Sequence, residues 1–105
     1  IDMDKFSKEL QDILIRLGQS PDLFTEQQEH YFKHLLQLLP VPDEVLLREY
    51  YGLFGTEVHP IDDLAYHRSI NSEVMMSIIE KDLRRLAITP EWQQVLKPLI
   101  MGKTE

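Results

Sequence analysis

Apolar residues recur along this chain at spacings of three and four, and no stretch alternates apolar and polar positions for long, so the pattern reads as helix throughout. Phe6, Leu10, Ile13, Leu14 and Leu17 share one helical face, and Gly18 followed by Ser20-Pro21 predicts the end of that helix. Thr25-Glu26-Gln27-Gln28 has the form of a capping box, in which the Thr hydroxyl accepts the third amide of the helix and the Gln side chain accepts the Thr amide. A second helix follows, carrying Tyr31, Phe32, Leu35, Leu36, Leu38 and Leu39, and Pro40-Val41-Pro42 ends it. Asp43 and Glu44 suit the positive end of a third helix dipole. That helix carries Val45, Leu46, Tyr50 and Leu53 and closes at Gly52 and Gly55.

Gly55 to His59 reads as a loop. Pro60 fits a first helical turn, where its missing N–H does no harm, and Ile61, Leu64 and Ala65 define a short fourth helix. Ser69-Ile70-Asn71 breaks it. Asn71 is placed to cap a fifth helix with Met75, Ile78, Ile79, Leu83 and Leu86 on its inner face. Thr89-Pro90 opens a sixth, with Trp92, Val95, Leu96, Leu99 and Ile100 facing inward and Pro98 limiting or kinking it. Residues 102–105 are expected to fray. The expected fold is all-α with about six helices. The short helix, tight turn and longer helix over Pro60–Leu86 form a helix-turn-helix arrangement.

Composition narrows the classes. The 105 residues suit one domain, and 43% hydrophobic with 28% charged residues supports a packed core. Eleven Lys and Arg against eighteen Asp and Glu leave a net charge of -7, which argues against a protein that coats nucleic acid without specificity. The absence of Cys excludes a disulfide framework, a thiolate zinc site and a cysteine nucleophile. No apolar run approaches the roughly 20 residues that span a bilayer. Ile1-Asp2-Met3-Asp4 lacks the basic-then-apolar pattern of a secretory leader, so a soluble, cytoplasmic protein without membrane contact is expected.

From Leu39 onward the chain resembles region 4 of the sigma-70 family of bacterial RNA polymerase sigma factors, especially the primary type. The family commonly reads Leu-Pro, a polar stretch, Val-Leu, then Tyr-Gly-Leu; here Leu39-Pro40 leads through Leu46-Leu47-Arg48 to Tyr51-Gly52-Leu53. Where the family has Thr-Leu-Glu-Glu-Ile-Ala, this chain has Pro60-Ile61-Asp62-Asp63-Leu64-Ala65. The family's recognition helix ends Leu-Arg-Lys-Leu, and here Leu83-Arg84-Arg85-Leu86 stands in that place with no gap from Pro60. The resemblance covers residues 39–86, about half of the chain, and sets a region 4-like unit over 39–105 apart from a helical lead-in over 1–38, which is expected to pack on the domain because the five apolar residues on one face of its first helix would otherwise stay wet.

The resemblance implies transcription: reading of the −35 promoter element by the fifth helix, and docking onto the flap of the RNA polymerase beta subunit. Carried over residue by residue, the DNA-facing positions are Ser72, Glu73, Met76, Ser77, Lys81, Arg84 and Arg85. The family's run there is Arg-Glu-Arg, an apolar residue, then Arg-Gln. This chain keeps Glu73 but has Ser72, Val74 and Met76 at the Arg positions and Ser77 at the Gln position. A bidentate Arg–guanine pair contributes roughly 1–3 kcal/mol of discrimination, which Ser and Met do not supply. Residues 60–87 also hold one more acid than base: Asp62, Asp63, Glu73, Glu80 and Asp82 against Arg68, Lys81, Arg84 and Arg85. An alternative function follows, a sigma-like protein-interaction module that binds polymerase or a regulator without promoter recognition. Val74 and Met76 are its candidate contacts, because they cannot both lie on the buried face with Met75 and Ile79. In the family a small or turn-forming residue, often Gly, occupies the position of Ser69.

Other chemistry is sparse. His30 and His34 share a helix face at i, i+4, but no third ligand is placed and the Glu of a His-Glu-x-x-His motif is missing, so two surface histidines and no metal are expected. Asp62 and Asp63 diverge by about 100° on a helix and cannot share a proton. No Ser/His/Asp arrangement, phosphate loop or nucleotide motif occurs. No catalytic residue, cofactor or small-molecule substrate is expected, and the chain reads as a non-enzyme.

Overall fold

Six α-helices follow one another through residues 3–101, which the computed structural model describes. They are α1 (Lys5–Gln19), α2 (Glu26–Leu36), α3 (Val41–Tyr51), α4 (Ile61–His67), α5 (Ser72–Ala87) and α6 (Lys97–Met101), and a π-helical turn over Glu91–Leu96 leads into α6. No strand occurs among the described residues. The all-α expectation therefore holds; the expected fraying of 102–105 lies outside the described residues.

Four helix starts carry a side-chain cap. The Asp4 carboxylate accepts the Ser7 amide at 2.8 Å and caps α1. The capping box at α2 is complete, with the Gln28 amide on the Thr25 hydroxyl at 3.0 Å and the Thr25 amide on Gln28 Oε1 at 2.8 Å. The Asn71 side chain accepts the Val74 amide at 2.8 Å and caps α5. The Thr89 hydroxyl accepts the Trp92 amide at 3.2 Å, with helical Pro90 directly behind it.

One core joins these elements. Leu10, Leu14, Phe32, Leu36, Leu47, Leu53, Met75, Ile79, Leu83 and Trp92 are fully buried in it. α1 lies against α5 and the end of α3 and contributes Leu10, Ile13, Leu14 and Leu17. Burying each such side chain favours folding by roughly 1.5–3 kcal/mol. The Tyr51 hydroxyl donates to Gln11 Oε1 at 2.8 Å, and Lys97 pairs with Glu9 at 2.8 Å, so polar contacts from the middle of α1 add to its apolar packing.

Several local expectations need correction. Phe6 is 46% exposed, lying under the Lys97 ammonium, and Ser7 beside it is buried, with its amide and hydroxyl both on the Asp4 carboxylate. α1 ends at Gln19 with Ser20 as its C-cap, as Gly18 and Ser20-Pro21 predict, but Gly18 has a second role: its missing side chain permits a backbone approach to Tyr51. The second helix ends at Leu36, before Pro40-Val41-Pro42, so Leu38 and Leu39 lie in the turn that follows α2 and not on the helix. Pro40 precedes α3, and Pro42 sits in its first turn, where a missing N–H costs nothing. Val45 turns outward while Leu46 and Leu47 are buried. α3 ends at Tyr51 on left-handed Gly52, and Leu53–Gly55 form a separate 3-10 turn. Pro60 lies just before α4 in extended backbone instead of inside its first turn. Val95 and Leu99 are half-exposed: the π-helical turn, in which the Lys97 amide bonds to the Trp92 carbonyl, adds a residue per turn and rotates them off the inner face. Pro98 follows at once and has no amide to continue the α register.

Candidate functional site on the fifth helix

α4 and α5 pack closely, joined by a turn through Arg68–Asn71. Ser69 in that turn has a φ of 59°, the left-handed region that a residue with a Cβ occupies at a cost of about 1–2 kcal/mol. The inner side of α5 buries Met75, Ile79, Asp82, Leu83, Leu86 and Ala87. Glu73, Val74, Ser77, Lys81, Arg84 and Arg85 lie on the outside.

The polar candidates at the helix head are engaged within the chain. The Ser72 hydroxyl donates to Oδ1 of Asp62 on α4. The Ser77 hydroxyl donates to the Glu73 carbonyl at 3.1 Å, one turn back along the same helix. Met76 is half-buried, and its sulfur accepts the Tyr50 hydroxyl at 3.8 Å. Val74 is 44% exposed. Of the two apolar candidates, Val74 is thus the surface contact, whereas Met76 bridges surface and core. Glu73 is exposed, and neither it nor Glu80 has an ion-pair partner among the described residues.

The basic candidates sit at the other end. Arg84 lies 3.8 Å from the Asp4 carboxylate at the start of α1. The Ser7 amide holds that carboxyl below its usual range, and the Arg84 guanidinium adds to the effect. Lys81 and Arg85 are exposed. α5 is therefore polarised, with carboxylates and apolar groups at its head and cations at its tail.

A hollow of about 410 Å³ lies over the head, lined by Glu73, Val74, Met76, Ser77 and Glu80. A groove of about 460 Å³ between α1, α3 and the 58–60 segment shares Met76 with it, and Met3, Ile15, Tyr50 and Val58 add apolar walls.

Asp82 and Tyr50 were not among the expected site residues. Asp82 is 2% exposed, and its Oδ2 has no hydrogen-bond partner among the described residues. Burial pushes its carboxyl up to about 7, with Asp43 at the start of α3 pushing the same way and Arg85 and Lys81 opposing. A signal for Asp82 exists in the sequence: it is seven residues after Met75 and three after Ile79, an acid in the register of the inner face.

His30 and His34 stack edge to face with centroids 4.5 Å apart. No cluster of three or more His, Asp or Glu suited to a metal ion forms among the described residues. No family model, curated protein or solved structure matches this chain.

Proposed function

We propose that the chain is a sigma region 4-like helix-turn-helix module that docks onto RNA polymerase or a regulator of transcription and does not read a promoter. The observation that carries this reading is the head of α5. The side chains that would face base edges there are a hydroxyl held by Asp62, a hydroxyl held by its own helix, a half-buried methionine and an unpaired carboxylate. Major-groove readout wants free bidentate donors, and phosphate contact wants positive charge. The exposed Val74 and the hollow beside it offer what protein contact wants, a partly apolar surface rimmed by polar groups.

The resemblance over residues 39–86 supplies the transcription context, and with it a bacterial cytoplasmic setting. Left-handed backbone at Ser69, where the family favours a small or turn-forming residue, supports the helix-turn-helix assignment. Promoter binding is the second reading, and one observation favours it: Lys81, Arg84 and Arg85 are exposed at the tail of α5, where phosphates could be met.

The test is a direct comparison of two ligands, the isolated polymerase beta flap and a −35-type duplex, on the immobilised chain. The proposal predicts flap binding that Val74→Asp removes, with weak DNA binding indifferent to sequence. Tight sequence-dependent DNA binding, with no Val74-dependent flap binding, would overturn it.

A further inference from the structure

Glu73 and Glu80 are seven residues apart on α5, which places them about 10.5 Å apart along the helix axis and within about 20° of the same direction. Between them lie Val74, Met76 and Ser77, and all five line one hollow. The apolar floor continues through Met76 into the groove walled by Ile15, Tyr50 and Val58. We infer that this surface receives a basic amphipathic helix of the partner, lying along α5, with Lys or Arg at two positions seven apart and apolar residues at the positions three and four after the first. This rests on the docking reading given above and specifies the partner.

Charge and register select that occupant. Two carboxylates without ion-pair partners among the described residues, on a chain of net charge -7, call for cations. A partner helix repeats its side chains with the same rise as α5, so residues at i and i+7 reach both carboxylates from one face while i+3 and i+4 stand over Met76 midway between them, with Val74 at the edge of the contact. An extended peptide covers about 10.5 Å in three residues, and residues three apart point to opposite sides of a strand. A second copy of the chain is disfavoured. Pairing two α5 helices antiparallel about their heads sets Glu73 of one against Glu80 of the other. Duplex DNA meets the same two carboxylates with phosphates.

The probe is a helix-stapled peptide of about 14 residues with Arg at two positions seven apart and Leu at the two between, since an unstapled helix of that length is marginal in water. A second peptide carries Glu at both Arg positions. Fluorescence anisotropy with the full chain is expected to show binding of the Arg peptide and none of the Glu peptide. Glu73→Gln with Glu80→Gln should weaken the Arg peptide about tenfold, as two partly exposed ion pairs would. Glu73→Arg with Glu80→Arg should reverse the preference, and Val74→Asp should remove binding of either peptide. Circular dichroism melts check that every variant folds. Equal binding of the two peptides, or no binding of the Arg peptide to the parent chain, overturns the inference. If flap binding then remains Val74-dependent, the docking function stands without it; if that binding is also absent, both fall.

Discussion

Gly18 in α1 and Tyr51 at the end of α3 meet backbone to backbone: a Cβ at Gly18 would overlap the Tyr51 carbonyl oxygen. Helix propensity alone favours Ala over Gly inside a helix by about 1 kcal/mol. The overlap is with main chain that the Gly52 cap fixes in place, so α1 must move, and such overpacking costs typically 1–3 kcal/mol or more. Gly18→Ala is therefore expected to destabilise the chain despite the better helix former. Urea unfolding gives the sign; a stabilised variant would show that the two helices separate freely.

Removing residues 1–20 takes Leu10, Ile13, Leu14 and Leu17 out of the core and exposes the faces of α3 and α5 they cover. Leu14→Ala alone should cost about 2–5 kcal/mol, since Leu14 is fully buried. The truncated chain is expected to melt far lower, or without a cooperative transition. An unchanged melt would mean that α1 carries no share of the core.

Asp82 makes stability depend on pH. Its carboxyl titrates near 7 in the folded chain against 3.8 when free, because it is buried beside Asp43. Between those values the native state keeps a proton that the unfolded state has lost, so the contribution of Asp82 to stability is greatest below about pH 4 and is lost as pH rises to about 7. The fall is at most about 4 kcal/mol, a ceiling that solvent screening lowers; the Arg85 and Lys81 charges are already contained in the value near 7. Asp4, held below its usual range by the Ser7 amide and by Arg84, works the other way on acidification. Asp82→Asn keeps a donor facing Asp43 without the titration. It should melt higher than the parent at pH 8, with the advantage vanishing by pH 4. Parallel melting curves for the two chains across that range would contradict the assignment.

Ser69→Gly relieves a left-handed backbone in the α4–α5 turn, and a gain of up to about 1 kcal/mol is expected. Thermal melting measures it. A loss would mean that the Ser69 side chain contributes more than its backbone strain costs.

Helix existence and caps were legible because they are local. Thr25 with Gln28, Asn71 with Val74, and Thr89 with Trp92 meet within three residues along the chain. What was not legible depends on parts of the chain that are distant in sequence. Gly18 reads only as part of a helix end until Tyr51 is placed against it. Val95 and Leu99 fit a regular inner face until the π-helical turn before Pro98 rotates them away. At the site, the departures from the Arg-Glu-Arg pattern were readable directly. The partners of the replacing residues were not: Asp62 lies ten residues before Ser72, and Tyr50 lies 26 before Met76. The buried state of Asp82 was readable in register but outweighed by its charge, since an acid is seldom found fully buried.

The role proposed for α5, protein contact and not promoter readout, is tested most directly by the salt dependence of DNA binding. Lys81, Arg84 and Arg85 offer at most about three phosphate contacts, and Glu73 and Glu80 on the same helix oppose them. Fluorescence anisotropy with a −35-type duplex and a scrambled duplex, over a range of salt concentrations, should give weak binding that does not distinguish the two, with a log–log slope no steeper than about −3. Sub-micromolar binding at physiological salt that prefers the promoter sequence, with a steeper slope, would contradict the account.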